Sequence, residues 1–174
     1  MNCASRIFQL KVVLFLALIG AATACKVSYS LSGADIPAEA KNFSVKTFQI
    51  LTPQATTNYD LQLTESLKDL LLAQTRLDLI EKSGDLQYEG FINQFEIGNA
   101  AVSGDEITTV NRLTIGIKVK YTNLYDRDKN FERSFSRFAD YNSNSNFNDV
   151  ESQLITQINE QLVQDIFDAS IGAW

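Results

Sequence analysis

The stretch RLTIGIKVKYT, residues 112–122, sets the fold of this chain of 174 residues. Basic, small or hydroxyl-bearing side chains occupy every second position, and the positions between them are apolar. Strict alternation of this kind predicts a β-strand with one buried face and one solvated face. The residues predicted to face the core are Leu113, Ile115, Ile117, Val119 and Tyr121.

The residues that follow complete a predicted β-hairpin. Residues 126–130 (DRDKN) turn the chain, and residues 131–141 return with a second alternating pattern. A register that places Tyr121 opposite Phe131 brings compatible side chains together on the polar face. The facing pairs in this register are Lys120 with Glu132, Lys118 with Ser134 and Arg112 with Asp140.

Four further segments complete the predicted domain. Residues 43–51 alternate as a strand, and residues 58–75 carry leucines at helical spacing. Residues 86–97 predict another strand, in which a change of phase at Gly90 indicates a β-bulge. An unbroken apolar stripe over residues 147–171 predicts a long helix, which Ser145 or Asn146 can cap. The order β-α-β-β-β-α predicts an α+β fold, a mostly antiparallel sheet of about four strands with two amphipathic helices packed on one face.

The first 25 residues indicate export. Arg6 and Lys11 precede an apolar run that is too short to span a bilayer, and small residues then lead to Cys25. This pattern resembles the signal of bacterial lipoproteins, in which the cysteine sulfur receives a diacylglycerol and becomes the acylated first residue. We therefore expect residues 1–24 to be a lipoprotein signal peptide and Cys25 to be lipidated. An ordinary secretory signal cut near Ala24 is the alternative.

The remaining chain is expected to hold one domain. Residues 25–42 read as an acylated, extended linker, and residues 43–174 have an ordinary size for a single domain. Tyr29, Leu31 and Ile36 are apolar, which indicates that part of the linker lies against the domain.

Composition argues against an enzyme. The chain has no histidine, which removes the usual general base of hydrolases and the commonest zinc ligand. We therefore predict no catalytic residue, no metal and no cofactor, and a hydrolase built on paired carboxylates remains the enzymatic alternative. Cys3 leaves with the signal, so an acylated Cys25 allows no disulfide. An acidic exported chain also argues against a nucleic-acid partner.

Basic side chains concentrate in the predicted hairpin. Without residues 1–24 the chain has 13 basic and 21 acidic side chains, and seven of the basic ones fall within residues 112–137, where only three acids oppose them. Such a strand pair can bind phosphate or carboxylate groups, whereas the alternative is a solvated face whose lysines protect an edge strand. The register puts Arg133 and Arg137 on the core side, where they must reach the rim, pair or bind a ligand. The candidate ligand-binding residues are Lys118, Lys120, Arg133 and Arg137.

Several stretches resemble the LptE family of outer-membrane lipoproteins for lipopolysaccharide (LPS) assembly, in its Bacteroidetes-type form. They are the acylated start, the final helix to Trp174 and the segments YSLSGADIP (29–37), RLDLIEKSGDLQYEGFI (76–92), NRLTIGIKVKYTN (111–123) and NFERSFSRFADY (130–141).

The resemblance implies a sheet-and-two-helix domain in the lumen of an LptD-type β-barrel, the LPS translocon of the Gram-negative outer membrane. There it would plug the barrel, help to assemble it and bind LPS, with its lipid anchor in the outer membrane and the domain on the periplasmic side or in the barrel lumen. The family's basic binding residues do not align one by one with this sequence, so the four basic candidates come from this chain alone. The alternative is a stand-alone envelope lipoprotein that binds a periplasmic ligand or scaffolds another envelope complex.

Overall fold

A mixed sheet of six strands with two helices on one face forms the described part of the protein, residues 35–100 and 110–172 of a computed structural model. The strands are β1 (Asn42–Val45), β2 (Gln49–Ile50), β3 (Asp78–Leu79), β4 (Leu86–Ala100), β5 (Val110–Asn123) and β6 (Phe131–Asn142). Helix α1 (Tyr59–Gln74) lies between β2 and β3, and helix α2 (Phe147–Ile171) follows β6. The predicted signal peptide and Cys25 lie outside the described residues.

The antiparallel half of the sheet confirms the predicted hairpin. Strands β4, β5 and β6 pair in sequence order, and Tyr121 lies opposite Phe131, as expected from the alternating pattern. The five apolar side chains of β5 are buried at 0–1 % exposure, because they lie beneath the helices. The residues in this set are Leu113, Ile115, Ile117, Val119 and Tyr121.

Both helices pack on the face of the sheet that carries these buried side chains. The Tyr88 hydroxyl of β4 lies 3.1 Å from the Ser170 hydroxyl of α2, and the Tyr59 ring of α1 meets the Phe95 ring of β4 at 5.7 Å. Helix α2 has the predicted bounds, and the Asn146 side chain caps it by accepting the Asn148 N–H at 3.1 Å. Neither helix of the described residues combines the length and apolarity needed to cross a bilayer.

The predicted four-stranded, mostly antiparallel sheet is wrong in strand number and in part of its direction. β1 is parallel to both β3 and β4, and β2 is parallel to β4. The predicted strand at residues 43–51 divides in two because the Phe48 side chain turns into the core, where it is 1 % exposed, and its N–H donates to the Thr64 hydroxyl at 3.1 Å. Strand β3 has only two residues, and the predicted four strands do not include it.

A close crossing of two backbones fixes β1 in the sheet. Phe43 pairs with Leu79 of β3 on one side and with Leu86 of β4 on the other, so residues 80–85 must cross β1. Gly84 lies at this crossing, and its N–H donates to the Ser44 hydroxyl at 3.1 Å. A Cβ atom on Gly84 would lie 2.5 Å from the Ser44 backbone nitrogen. Only glycine allows the two chains to approach this closely.

The bulge predicted at Gly90 lies three residues further along. The register of β4 against β5 shifts between Ile92 and Gln94, which explains the change of phase in the sequence. Gly90 has a different role, because a Cβ atom there would lie 2.7 Å from the Phe48 ring and 2.4 Å from the Lys118 carbonyl oxygen. The glycine makes room for the side chain that interrupts the predicted first strand.

Candidate functional site

The outer face of the sheet, defined here as the side of β4, β5 and β6 away from the helices, carries a ladder of ion pairs. Glu89 of β4 accepts from Lys120 at 2.8 Å and from Lys46 at 2.5 Å, so a residue outside the hairpin neutralises two cations. Arg112 donates to both carboxylate oxygens of Asp140, at 2.6 and 2.8 Å. Lys118 pairs with Glu132 at 2.6 Å.

These pairs change the protonation equilibria of the three acids that form them. Hydrogen bonds from Lys120 and Lys46 lower the pKa of Glu89, and the hydrogen bond from Lys118 lowers that of Glu132. The hydrogen bond from Arg112 lowers the pKa of Asp140 in the same way. Each pair is exposed and contributes little alone, but together they leave the outer face close to electrically balanced.

Lowering the pH is expected to destabilise the protein through these carboxylates. An acid whose pKa is lower in the folded state contributes stability above its unfolded pKa of about 4, and the contribution disappears as the pH falls through the folded value. We therefore expect the urea midpoint to fall between about pH 5 and pH 3. The triple variant Glu89→Gln/Glu132→Gln/Asp140→Asn should lose less stability over this range. Equal slopes for parent and variant would contradict the assignment.

An open groove of about 770 Å³ lies between β6 and α2 on the helical side of the sheet. Phe131 and Phe135 line it from β6, and Ala169 lines it from α2. Arg133 and Arg137 of β6 also line the groove, because the register places them opposite Val119 and Ile115 as predicted. We call this feature the β6–α2 groove.

The two arginines of the β6–α2 groove have different partners. Arg137 forms a bidentate salt bridge with Asp165 of α2, in which its Nε and Nη2 atoms donate to the two carboxylate oxygens at 2.6 and 2.5 Å. The hydrogen bonds to Asp165 raise the pKa of Arg137. The Arg133 guanidinium lies 5.1 Å from the centre of the Phe131 ring. Within residues 35–100 and 110–172, Arg133 makes no ion pair. It therefore offers a cation beside an apolar wall, where a phosphate or carboxylate with an attached hydrocarbon could bind.

The groove as a whole is not a cationic pocket. Lys129 at its end pairs with Asp35 at 2.5 Å, and Asp128 and Asp168 also line it. The excess of basic residues along the hairpin is thus offset in space by acids from other elements. This arrangement favours one local anion contact over a field that attracts anions from a distance.

The structure divides the four predicted binding residues between two faces. Lys118 and Lys120 lie on the outer face in ion pairs, whereas Arg133 and Arg137 line the β6–α2 groove on the opposite face. No single ligand can contact both pairs through the sheet. Among the described residues, no group of acidic or cysteine side chains is arranged to hold a metal ion.

The sequence did not identify two acids that pair with the candidate basic residues, Asp165 and Glu89. Asp165 is 28 residues from Arg137 and belongs to another element, and Glu89 is 31 residues from Lys120. No local spacing connects such residues, because the pairs form only when the helix and β4 pack beside the hairpin. The alternation of β4 could have placed Glu89 on the polar face, but not next to a particular lysine.

Comparisons with known proteins give one family and a recurring fold. A family model described as "LptE: Lipopolysaccharide-assembly" matches residues 41–170. A comparison with curated protein sequences finds no match.

Two solved structures share the architecture. A hypothetical protein from Chlamydia trachomatis has a TM-score of 0.52 and 10 % identity, covering 75 % of this chain and 98 % of that chain. A protein from Xanthomonas campestris has a TM-score of 0.52 and 13 % identity, covering 84 % and 93 %. At these identities the likeness concerns the fold alone.

Proposed function

The chain belongs to the LptE family of lipopolysaccharide-assembly proteins, and on this premise we propose that it is a lipid-anchored outer-membrane subunit of the LPS transport complex. The observation that carries the proposal is the family match, which spans nearly all of the folded domain. After removal of residues 1–24, acyl chains on Cys25 would hold the protein at the membrane. The residues that follow Cys25 would then link the anchor to the domain. The proposed role is binding and assembly, with no enzymatic step.

The proposed protein partner is an LptD-type β-barrel, which this domain would plug and help to assemble. The interior of an outer-membrane barrel is polar, so a domain lodged there needs a polar surface with satisfied charges. The outer face meets this requirement, because its cations and anions are already paired with each other. Among the described residues, no helix covers this face, which leaves it available to the barrel wall.

The proposed ligand is LPS, which carries phosphates and acyl chains. The β6–α2 groove offers the matching chemistry, with Arg133 beside the Phe131 ring and Phe135 along the same wall. Arg137 would contribute if a phosphate replaced Asp165 as its partner. Lys118 and Lys120 would contact LPS only from the outer face, as a second and separate site.

Replacing Arg133 by glutamine is expected to weaken LPS binding about tenfold or more, since hydrogen bonds to charged groups contribute about 1.5–3 kcal/mol. The measurement is binding of purified LPS to the full chain in detergent. Arg127→Gln is the matched control, because Arg127 also makes no ion pair within the described residues but lies outside the groove lining. Equal losses in the two variants would exclude a specific site at Arg133. For Arg133→Gln/Arg137→Gln, unchanged binding with lowered stability would leave both arginines with a structural role.

Affinity purification of the chain from outer membranes tests the proposed partner. We expect a large β-barrel of the translocon type to co-purify, and we expect depletion of the chain to lower LPS at the cell surface. Purification without a barrel, together with normal surface LPS after depletion, would overturn the proposal. That result would support the alternative, a stand-alone envelope lipoprotein that binds a periplasmic ligand or scaffolds another complex.

A further inference from the structure

Two charged side chains that line the β6–α2 groove are left without an ion pair. Five of the seven charged side chains along it have a partner: Lys129 with Asp35, Arg137 with Asp165, and Asp168 with the amide of Gln164. The remaining two are Arg133 and Asp128, which form no ion pair within the part of the chain that the structure describes. The groove therefore offers a ligand one cation and one anion.

These two charges lie toward the same end of the groove. Asp128 belongs to the 3₁₀ turn Arg127–Lys129, which Asn130 joins to β6, and Arg133 is the third residue of β6. Five residue steps separate the two, so their Cα atoms are at most about 17 Å apart, and the tight turn shortens this distance. The Arg133 guanidinium covers part of it, because it lies 5.1 Å from the centre of the ring of Phe131, the β6 residue nearest to the turn. One head group can therefore contact both charges.

The charge of the groove disfavours a ligand that is only negative. Three basic and four acidic side chains line the groove, and the chain as a whole has 15 basic and 21 acidic side chains. A polyanion would gain a contact with Arg133 but would be repelled by these acids. A head group that contains one phosphate diester and one ammonium can pair with both free charges and has no net charge to be repelled.

The apolar wall of the groove indicates what the head group is attached to. Phe131 and Phe135 line the groove from β6, and Ala169 lines it from α2. Its volume of about 770 Å³ is in the usual range for sites that hold a small molecule. A free head group would leave the two rings in contact with water, whereas an attached acyl chain would cover them. The groove therefore matches an amphiphile better than a soluble phosphate ester.

We propose that the β6–α2 groove binds a zwitterionic amphiphile, a phosphate diester that joins an acylated body to a short aminoalkyl group, with Arg133 on the phosphate and Asp128 on the ammonium. This selectivity rests on the proposed function, in which the groove is the site for lipid phosphates, and it adds the head group that the site prefers. An LPS phosphate that carries such an aminoalkyl group would bind ahead of one that does not.

Binding of short-chain phospholipids to the full chain in a non-ionic detergent tests the proposal. The two probes are dihexanoyl phosphatidylethanolamine and dihexanoyl phosphatidylglycerol, which share the phosphate diester and the acyl chains but differ in the ammonium. We expect the ethanolamine probe to bind about fivefold more tightly, the upper part of the range for an exposed ion pair. Glycerophosphoethanolamine, which has the same head group without acyl chains, should bind about tenfold more weakly or less than that probe.

Asp128→Asn is expected to abolish this preference, by weakening binding of the ethanolamine probe about fivefold without weakening binding of the glycerol probe. Asp78→Asn is the matched control and should keep the preference. Asp78 is also exposed and forms no ion pair among the described residues, but it belongs to β3, at the edge of the sheet opposite to β6. Arg133→Gln should weaken binding of both probes and leave the preference between them.

The outcomes separate the selectivity from the proposed lipid site. Equal binding of the two probes by the parent, or the same preference in the parent and in Asp128→Asn, would overturn the selectivity and leave the lipid site intact. Glycerophosphoethanolamine binding as tightly as the ethanolamine probe would overturn the choice of an amphiphile. Failure of both phospholipids to bind would overturn the lipid site as well. The comparison of the two probes needs only the parent, so it decides the selectivity even if a variant does not fold.

Discussion

Replacing Gly84 by alanine is expected to lower the free energy of unfolding by about 3 kcal/mol, the upper part of the usual range for an inserted methyl group in a packed site. The new Cβ atom would lie 2.5 Å from the Ser44 nitrogen, 2.6 Å from the Phe43 carbonyl carbon and 2.8 Å from the Phe43 Cα. All three are backbone atoms, so no side-chain rotation can relieve the contact. β1 cannot move aside without losing hydrogen bonds to β3 or β4.

Gly98→Ala is the matched control for this prediction. Gly98 also lies in the described sheet, but a Cβ atom there would meet no atom within 4 Å. We expect its unfolding free energy to change by less than about 0.5 kcal/mol, as for ordinary surface substitutions. The measurement is urea denaturation of all three proteins at one pH. Equal midpoints for the two variants would contradict the crossing at Gly84.

The crossing shows which part of the fold the sequence could predict. Residues 82–85 (KSGD) carry a turn signal that is evident from the sequence alone. The sequence does not say that this turn passes over β1, because the crossing depends on which strands lie on either side of Phe43. The β5–β6 register and the bounds of α2 were predictable, since each follows from a periodic pattern within one or two neighbouring segments. The parallel pairs of β1 join segments that carry no shared pattern.

In the candidate site too, only the features that depend on a pattern within one segment could be predicted. Alternation along β6 was enough to place Arg133 and Arg137 on the helical side of the sheet, and the structure confirms that placement. Their different environments could not be predicted, because Asp165 reaches Arg137 only through the packing of α2 on β6. The predicted excess of positive charge on the hairpin is likewise a property of the sequence alone. In space, Glu89, Asp165 and Asp35 offset much of it.

Replacing Cys25 by serine is expected to release the protein from membranes almost completely. The proposed anchor consists of acyl chains on Cys25, and each buried CH₂ group contributes about 0.8 kcal/mol to membrane binding. A single chain binds only reversibly, and several chains on one residue hold a protein for good. Serine has no sulfur to accept the diacylglycerol, so the variant would lose every chain at once.

Flotation of the purified protein with phospholipid vesicles measures this effect without a barrel that could retain the variant. We expect the parent to float with the vesicles and Cys25→Ser to stay in the soluble fraction, with intact mass showing acyl chains on the parent alone. Cys3→Ser is the matched control, because it changes the same residue type within the segment that we expect to be removed. An unmodified Cys25 thiol in the parent, or flotation of Cys25→Ser, would overturn lipid anchoring while leaving the family assignment of residues 41–170 intact.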